Sequence, residues 1–330
     1  VDPTDNSIEF GAECLFNTQA THDIALVHDP DSNKIIIVYD DAGTYGYGRA
    51  KVGTVNTNDN TMTFGGAVTF SGVGSNANDY MDAIYDSANQ RVVIVYRDHS
   101  NSYRATAMVG TVDGSNNTIS FGSKYDFSGA PNNQLRLTYD SSNGKFVTYG
   151  DKKLYVGEVN PSNNSITFGS VVNLPTSNGG RGDITYDSDA QKVIISYRDY
   201  GNSGYGTIIS GSVSGTSITL DSPIVFETAE TNDASQVYDP SSKKTVVAYE
   251  DAGNSTYGTY VVFSPRTIST NLTAENFIGI SDGAYSDGQT ATIQVTGSVD
   301  DAQSGLTAGQ AYYVQDDGTL SETADSPSVF

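Results

Sequence analysis

Short runs of β-branched and aromatic residues recur along the chain, and turns rich in Asp, Asn, Ser and Gly separate them. Residues 35–39 and 92–96 are typical runs, with no charged position. Such runs are too short for amphipathic helices, which need apolar residues at every third or fourth position over a longer stretch. They are typical of strands that are buried on both faces. The sequence therefore predicts an all-β fold.

These runs belong to a segment that is repeated five times. Each copy contains a turn that begins with Asp, and the five turns are at His28-Asp29, Tyr85-Asp86, Tyr139-Asp140, Tyr186-Asp187 and Tyr238-Asp239. The spacings between the turns are 57, 54, 47 and 52 residues, and periods of this length indicate a solenoid, a propeller or an array. In the second copy four strands are predicted, A at 80–85, B at 91–97, C at 105–112 and D at 118–127.

A signature in strand D indicates a closed ring. The first four turns are followed by Met62-Thr63-Phe64-Gly65, Ile119-Ser120-Phe121-Gly122, Ile166-Thr167-Phe168-Gly169 and Ile218-Thr219-Leu220-Asp221, and a fifth copy, Ile8-Glu9-Phe10-Gly11, lies at the N-terminus. An N-terminal strand that completes the last sheet leaves no open edge. We therefore predict a five-bladed β-propeller over residues 1–264, in which a strand at 7–17 pairs with strand C of the last blade, around 259–263.

The composition excludes several kinds of partner. The chain has 39 acidic and 17 basic residues, a net charge of 17 − 39 = −22, which opposes binding to a nucleic-acid backbone. No apolar run approaches the roughly 20 residues of a membrane-spanning helix. The single cysteine, Cys14, is interpreted as a core thiol, and the Asp residues of the A–B turns as structural. The histidines lack a zinc-ligand spacing, and no metal or cofactor is predicted.

Polar residues on strand A are the first candidates for a binding site. In a propeller, the start of strand A and the B–C loop lie on the same face, around the mouth of the central channel. Side chains alternate along a strand, so the positions six and four residues before the turn Asp are expected to share one face. These positions carry Asp23 and Ala25, Tyr80 and Asp82, Gln134 and Arg136, Arg181 and Asp183, and Asp233 and Ser235. They differ between otherwise uniform repeats and form either a ligand pocket or a plug of ion pairs and water.

The B–C loops supply a second set of candidates. Each loop begins with an Asp that is interpreted as the end of strand B. The loop residues proposed to bind sugar are Tyr45, Asn101, Tyr103, Asn202, Tyr205, Asn254 and Tyr257. Amides suit sugar hydroxyl groups, and a tyrosine ring suits the apolar face of a pyranose. The third repeat passes from Asp151-Lys152-Lys153 directly to Leu154 and has lost its loop, so a ring of four sites is expected.

A glycosidase is the enzyme class to be weighed. Glycoside hydrolysis normally requires two carboxyl groups, one of them with a raised pKa. Asp82 and Asp183 could face each other across the channel, but no Glu occurs on any strand A. We expect Arg136 or Arg181 to pair with these carboxylates and to keep them ionised. The sequence therefore predicts no enzymatic activity.

The last part of the chain is a second module. Residues 265–271 are predicted to be a linker, and residues 272–330 a small β module that contains Gly305-Leu306-Thr307-Ala308-Gly309-Gln310-Ala311-Tyr312-Tyr313-Val314. This motif resembles a short β domain in structural proteins of marine tailed bacteriophages, at or near the end of fibre-like chains. The Tyr-Asp and Ile-Thr-Phe-Gly repeats upstream also resemble repeats of such phage proteins.

The resemblance implies a location and a function. It implies a virion surface protein, in a tail fibre or a capsid-associated fibre, with other virion proteins as partners and a homo-oligomeric state. A further strand is implied after Phe330, so the module is expected to lack its final strand and the chain to be part of a longer polypeptide. We expect weak, multivalent attachment to host-surface glycan. The alternatives are a purely structural spacer or decoration protein and a glycan-degrading propeller.

Overall fold

The computed structural model of the chain describes residues 7–44, 46–72, 78–129, 135–177, 179–264, 279–281, 290, 292–294, 306–307, 310, 312–314 and 320–322. Two compact units, Val1–Pro265 and Arg266–Phe330, make up the chain and are considered separately. Tyr45, Gln134, the predicted linker at 265–271 and most of the predicted module at 272–330 lie outside the described residues.

Five antiparallel A–B–C meanders, here called repeats 1 to 5, form the first unit. The A strands are β1 (Thr21–Asp29), β6 (Asn78–Asp86), β11 (Leu135–Asp140), β16 (Gly179–Asp187) and the second part of β20 (Ile224–Asp239). The B strands are β2 (Lys34–Asp41), β7 (Arg91–Asp98), β12 (Lys145–Gly150), β17 (Lys192–Asp199) and β21 (Lys244–Asp251). The C strands are β3 (Tyr47–Asn56), β8 (Arg104–Asp113), β13 (Lys153–Asn160), β18 (Tyr205–Ser214) and β22 (Tyr257–Phe263).

A fourth strand, D, pairs with strand C of repeats 1 to 4 in two pieces. The first pieces are β4 (Thr61–Phe64), β9 (Thr118–Phe121), β14 (Ser165–Phe168) and β19 (Ser217–Leu220). The second pieces are β5 (Val68–Ser71), β10 (Tyr125–Ser128), β15 (Val172–Asn173) and the first part of β20. Because β20 pairs with β18 and then continues as strand A of repeat 5, repeats 4 and 5 share one seven-stranded sheet. The large sheets of the described residues are therefore four in number, where five separate blades were predicted.

The prediction of an all-β fold is confirmed. The described residues contain no α-helix, and their helical turns are the short 3-10 turns Ala42–Thr44, His99–Asn101, Tyr200–Asn202 and Ala252–Asn254. All four strands predicted in the second repeat overlap β6 to β10. Across the described part of the chain, no helix is long and apolar enough to cross a membrane.

Each A–B turn is shaped by the Asp at its start. Oδ1 of Asp140 accepts hydrogen bonds from the backbone N–H groups of Ser142 at 3.0 Å and Asn143 at 3.1 Å. The same pair of bonds forms at Asp29, Asp86 and Asp187. An Asx side chain that bonds its own backbone in this way stabilises a tight turn. The structural interpretation of these Asp residues is therefore confirmed.

Consecutive repeats bury apolar faces against each other. In β7, Val92, Ile94 and Tyr96 pack in the cluster shared with repeat 1, and Val93 and Val95 pack in the cluster shared with repeat 3. Side chains alternate along a strand, so a strand between two neighbours needs apolar residues at every position. A hydrophobic cluster of described residues lies at each of the four junctions, from repeats 1 and 2 to repeats 4 and 5.

The N-terminal segment does not form the predicted strand. Residues 7–20 contain no strand, and the predicted pairing with β22 is not formed. Strand pairing requires residues 7–17 to lie beside β22 of repeat 5, but this segment contacts repeat 1 instead. The ring of Phe16 packs edge-on against Tyr39, with centroids 5.2 Å apart, and Lys51 Nζ donates to the Phe16 carbonyl oxygen at 2.7 Å.

Apolar side chains of this segment are exposed. The exposed fractions of Ile8, Phe10 and Leu15 are 59%, 85% and 83%. Cys14, which the sequence suggested as a core thiol, is also exposed. That expectation for Cys14 is wrong, because no described strand packs over the segment.

The second unit contains two short strand pairs among its described residues. Strand β23 (Ile280–Ser281) pairs with β24 (Ile293–Gln294), and β25 (Tyr313–Val314) pairs with β26 (Leu320–Ser321). Next to β25, the hydroxyl of Tyr312 accepts a hydrogen bond from the Thr307 N–H at 2.9 Å and donates to Glu322 Oε1 at 3.2 Å. The Tyr-Tyr-Val part of the sequence motif therefore leads into a β pair.

We predict that Asp140→Ala lowers the free energy of unfolding by about 1–3 kcal/mol, because it removes hydrogen bonds made by a buried carboxylate. Asp140 is fully buried. Asp113→Ala is the matched control: Asp113 bonds the N–H groups of Ser115 and Asn116 in the same way but is exposed. Urea denaturation measures both variants, and an equal loss in the two would contradict the importance of burial.

Candidate functional site

Two carboxylates on the A strands link neighbouring repeats. Asp82 Oδ1 accepts from the Ala83 N–H of its own strand at 2.8 Å, and Oδ2 accepts from the Leu137 N–H of repeat 3 at 2.7 Å. Asp183 Oδ2 accepts from the Gln236 N–H of repeat 5 at 2.9 Å. Both side chains therefore hold together strands that do not belong to the same meander.

Arg136 lies between these carboxylates. Its Nε is 3.5 Å from Asp183 Oδ1, and the two side chains are 28% and 15% exposed. One end of its guanidinium donates to the Leu135 carbonyl oxygen at 3.2 Å. The expected pairing of an arginine with a strand A carboxylate is thus confirmed for Arg136 and Asp183. Mixed charges in a narrow, partly dry space need this compensation.

Burial nevertheless controls the ionisation of the two carboxylates. Burial raises the pKa of Asp82 to about 6, against the opposing effects of its backbone hydrogen bonds and of Arg136. Burial also raises the pKa of Asp183 above its ordinary value. The expectation that the arginines keep these groups ionised in the usual range is therefore wrong, because the loss of water outweighs the attraction of the nearby positive charge.

The other strand A candidates lie nearer the surface. Arg181 and Asp233 form an ion pair at 2.7 Å, with side chains that are 55% and 57% exposed. An exposed pair of this kind contributes little to stability. Asp23 Oδ1 accepts from the backbone N–H of Tyr80 at 3.4 Å, a contact between repeats 1 and 2. These residues lie closer to solvent than Asp82 and Asp183.

A β-bulge interrupts strand A at the outer candidate position. Asp23, Tyr80 and Asp233 have φ angles of 43°, 54° and 46°, and the pairing register with strand B shifts at each of them. A left-handed backbone is unusual for a bulky tyrosine. The extra residue of a bulge reverses the alternation of side chains. The expectation that the two candidate positions share one face therefore fails in these strands.

The Asp residues of the B–C loops are caps. Asp98 Oδ1 accepts from Ser100 N–H at 2.9 Å, and Asp199 and Asp251 make the equivalent bonds at 2.8 Å and 2.9 Å. Each carboxylate caps the 3-10 turn that follows strand B. This agrees with the structural interpretation of these residues. Within the described ranges, no group of three His, Cys, Asp or Glu side chains is placed to hold a metal ion.

The predicted loop tyrosines are not equivalent in position. Tyr205 and Tyr257 begin strand C opposite the capping Asp of their repeats, where repeat 2 has Arg104. Tyr103 precedes this position and lies in the turn, at φ 61°. Tyr103 and Tyr257 are 49% and 64% exposed, whereas Tyr205 is partly buried. The sequence suggests an alignment of the loops on their tyrosines. Alignment on the capping Asp shows that Tyr103 lies one residue before the position of Tyr205 and Tyr257.

Two arginines pack against aromatic rings near the B–C turns, whose end of the sheets is here called the rim. The guanidinium carbon of Arg97 lies 4.4 Å from the Tyr80 ring centroid and 5.5 Å from that of Tyr103. Arg198 lies 4.5 Å from the ring of Tyr200, which is 46% exposed. Tyr200 was missed in the sequence, although it follows a capping Asp as His99 does in repeat 2.

The loop asparagines differ in whether their amide groups are accessible to a ligand. Asn101 donates from Nδ2 to Asp126 Oδ2, which fixes its amide. Asn202 and Asn254 are exposed to solvent. Of the predicted loop asparagines, these two are therefore accessible to a ligand.

The short B–C turn of repeat 3 leaves a groove. Strand β12 ends at Gly150 and β13 begins at Lys153, without the 3-10 turn of the other repeats. The groove has a volume of about 720 Å³ and lies between this turn, residues 173–177 and the turn Tyr200–Asn202 of repeat 4. Of its lining residues only Asn202 was predicted. The short B–C turn of repeat 3 is the sequence feature that could have indicated the groove, but from the sequence alone it indicated only the loss of one binding site.

The sequence has no match among protein-family models and no significant relative among curated proteins. Many solved structures resemble it, among them the following two. One, from Bacteroides uniformis, is provisionally assigned as a 6-phosphogluconolactonase: the TM-score is 0.55, the identity 9%, and the match covers 74% of this chain and 67% of that chain. The other is the periplasmic gluconolactonase of Pseudomonas aeruginosa, with a TM-score of 0.52, 10% identity and coverage of 73% and 72%. The likeness shows a propeller-like all-β fold. At such low identity it shows nothing about activity.

The raised pKa of Asp82 gives a testable pH dependence. In the folded state this pKa is about 6, above the ordinary value of about 4. The protonated Asp82 carboxyl group is therefore favoured by folding. Its contribution to the free energy of unfolding is fully present below pH about 4 and is lost as the pH rises through 6. Asp82→Asn has a similar shape but cannot ionise. We predict that the free energy of unfolding of the variant minus that of the wild type becomes more positive by about 2 kcal/mol between pH 4 and pH 7.

Urea denaturation of both proteins at the two pH values measures this change. Comparison of the two proteins at each pH cancels the titration of the other acidic residues. A difference that is independent of pH would show that Asp82 titrates alike in the folded and unfolded states.

Proposed function

We propose that the five repeats close into a five-bladed propeller in solution, where residues 7–17, which form no strand in the structure described above, become the outer strand of the last blade. Repeat 5 has no strand D among the described residues, and the outer edge of β22 has no partner there. An open edge of this kind favours pairing with another chain. The N-terminal segment carries the strand D signature that repeat 5 lacks.

The position of Gly11 supports the proposal. A Cβ on Gly11 would lie 2.2 Å from the carbonyl oxygen of Asn60 in the C–D turn of repeat 1. The signature glycines of repeats 1 to 3 meet the C–D turn of the following repeat in the same way. For Gly65, Gly122 and Gly169 the corresponding distances are 1.9, 2.4 and 1.7 Å. The N-terminal signature therefore contacts repeat 1 as strand D of a preceding repeat does.

The ring of Phe16 supports the same relation. Phe16 contacts Tyr39 of repeat 1 at a centroid distance of 5.2 Å. Phe70, in the second piece of strand D of repeat 1, contacts Tyr96 of repeat 2 at the same distance. Both contacts are edge-on, so Phe16 contacts strand B of repeat 1 as Phe70 of repeat 1 contacts strand B of repeat 2.

Two exposed apolar faces favour ring closure. Ile24 and Leu26 on β1 are 50% and 61% exposed, whereas Met81 and Ala83 at the same positions of repeat 2 are buried. At the other end, Val237 on β20 is 63% exposed. The first face is directed to a preceding repeat and the second to a following one. Contact between repeat 5 and repeat 1 would bury both faces and remove apolar surface from water.

The register of the repeats identifies which residues would face each other. In repeat 1, Ala50 of strand C pairs with Val68, three residues after the signature glycine. The equivalent position of strand C in repeat 5 is Tyr260. The third residue after Gly11 is Cys14. In a closed ring, Cys14 and position 260 would therefore be direct neighbours across the strand pair.

We predict that Tyr260→Cys forms a disulfide with the natural Cys14 within one chain. Directly opposed residues of antiparallel strands have Cα atoms about 4.5–5.5 Å apart, which a disulfide can bridge. Mild oxidation followed by intact-mass and peptide analysis of the monomer measures the bond. Thr259→Cys is the control, because its side chain points to the opposite face and should stay reduced.

Two other outcomes would overturn closure within one chain. A disulfide between two chains would mean that the N-terminal segment completes the last sheet of a second copy. Free thiols in both variants under the same oxidation would mean that the ring stays open.

We propose further that the propeller attaches a virion to host-surface carbohydrate through the rim of B–C turns. The motif at 305–314 resembles that of phage fibre chains, which supports a virion surface location, other virion proteins as partners and a homo-oligomeric assembly. Weak sites that are repeated on an oligomer gain avidity without strong individual affinity.

The observation that carries glycan binding is the exposure of the rim tyrosines. Tyr103, Tyr200 and Tyr257 are 49%, 46% and 64% exposed, whereas Tyr96 and Tyr197 near the end of strand B are buried. The face of an aromatic ring is negative and attracts the weakly positive C–H groups of a sugar ring. Exposed aromatic rings at one end of a rigid β scaffold are therefore suited to a pyranose.

The arginines beneath these rings add preorganisation. Arg198 is held by Glu230 at 2.6 Å and by Asn232 at 2.7 Å, and it lies against Tyr200. A ring that is fixed before binding loses less conformational freedom when the ligand arrives. Tyr103 is held in a similar way between Arg97 and His99.

We propose that the chain binds glycans without cleaving them. The lactonases among the structural neighbours and the raised pKa of Asp82 are the observations that favour an enzyme. Both carboxylate oxygens of Asp82, however, accept hydrogen bonds from backbone N–H groups. A side chain that links two strands in this way serves the scaffold.

We predict that Tyr103→Ala lowers the affinity for a host glycan about tenfold, or ~1.4 kcal/mol. The glycan is identified on a glycan array with the wild-type protein, and isothermal titration measures the affinity. Tyr125→Ala is the matched control, because Tyr125 is 42% exposed but lies in β10, on the outer strand. It should bind like the wild type.

A reducing-sugar assay and a lactone-opening assay accompany the titration, and no product is expected. If the wild type forms product and Asp82→Asn does not, the protein is an enzyme and the proposal of binding without cleavage is wrong. A wild type that neither binds nor cleaves any glycan would favour the structural spacer.

A further inference from the structure

A polar groove lies on the rim between repeats 3 and 4. Its volume of about 720 Å³ lies within the range of roughly 300–1,000 Å³ that is usual for small-ligand sites. We infer that this groove binds an acidic sugar, with Lys152 contacting the carboxylate of the sugar and the groove asparagines contacting its hydroxyl groups. The inference rests on the proposed glycan binding and assigns it a ligand class and a subsite.

The walls of the groove are fixed by hydrogen bonds that residues 174–177 make to the B–C turn of repeat 3 and to that of repeat 4. Leu174 N–H donates to the Lys152 carbonyl oxygen at 2.8 Å, and Lys152 Nζ donates to the Ser177 carbonyl oxygen at 3.0 Å. On the opposite side, Thr176 Oγ1 donates to Asp199 Oδ1. These bonds hold residues 173–177 between the turn of repeat 3 and that of repeat 4. A site that is rigid before binding requires little ordering when a ligand enters.

The accessible groups of the groove suit sugar hydroxyl groups. Asn173 and Asn202 line it and are both exposed. Each amide offers two N–H donors and a carbonyl acceptor, which matches the paired donor and acceptor character of neighbouring hydroxyl groups. Pro175, which is exposed, supplies an apolar surface beside them. A small polyhydroxylated ring fits this combination better than a purely apolar ligand.

The charges of the groove favour a carboxylate on that ring. Among the described residues, no carboxylate lies within ion-pair distance of the Lys152 ammonium group. Asp199 also lines the groove, but its Oδ1 accepts from Gly201 N–H at 2.8 Å and from Thr176, so these donors offset its charge. The net charge of −22 acts against an anion, although salt screens it beyond about 10 Å.

The test compares an oligogalacturonate with an oligogalactose of equal length, because the two differ mainly in the carboxylate. Isothermal titration of the wild-type protein should show tighter binding of the oligogalacturonate. Lys152→Gln should lower that affinity about tenfold and leave the oligogalactose affinity within about twofold. Lys153→Gln is the matched control, because it removes the same charge from the adjacent position, which does not line the groove. It should bind both sugars like the wild type.

Asn202→Ala separates the groove from the rim tyrosines. It should weaken both sugars, since the amide contacts hydroxyl groups that they share. If Tyr103→Ala lowers the affinity about tenfold while Lys152→Gln and Asn202→Ala bind like the wild type, the groove is not the site, and glycan attachment through the rim survives. Equal binding of the two sugars that Lys152→Gln does not alter would overturn the acidic class. If the wild type binds neither sugar nor any other glycan, both the proposed groove site and the proposed attachment function are wrong.

Discussion

The structure depends on the contact between successive repeats. A three-stranded or four-stranded meander of this kind has two apolar faces, and one neighbouring sheet can cover only one of them. Val93 and Val95 on one face of β7 and Ile94 on the other are all fully or almost fully buried. Burial of apolar area is the main favourable term in folding, so each repeat depends on the repeat before it and the repeat after it.

The same requirement explains where variation is permitted. The central strands must fill a fixed space between neighbours, and they keep apolar residues in every repeat. The B–C turns contact solvent on at least one side, so they can change in length and composition. Repeat 3 shortens its turn to the residues between Gly150 and Lys153 without disturbing the strands beneath it. Ligand chemistry can therefore differ between turns that stand on nearly identical sheets.

The regular parts of the fold could be predicted from the sequence, because each depends on local patterns. The runs around Val92 predicted strands, and the Asp residues of the A–B turns predicted their own hydrogen bonds. Features that arise where several segments meet could not be predicted. The bulge at Tyr80 depends on pairing with strand B, and the pKa of Asp82 depends on burial and on contacts with repeat 3, neither of which is visible along one strand. The groove beside Asn202 required knowledge of residues 173–177, which are distant from it in sequence.

The contact between each signature glycine and the next C–D turn has a direction. Gly65 of one repeat meets Asn117 of the next, and Gly122 meets Asn164, so the two surfaces that meet are different. An interface of this head-to-tail type either returns to its start and ends, or continues from molecule to molecule as a filament. The exposed Ile24 face of repeat 1 and the exposed Val237 face of repeat 5 are unlike surfaces, and in the proposed ring they would form one more such interface. The same pair of surfaces that can complete a monomer can therefore also polymerise it, and the angle between successive repeats selects between these outcomes.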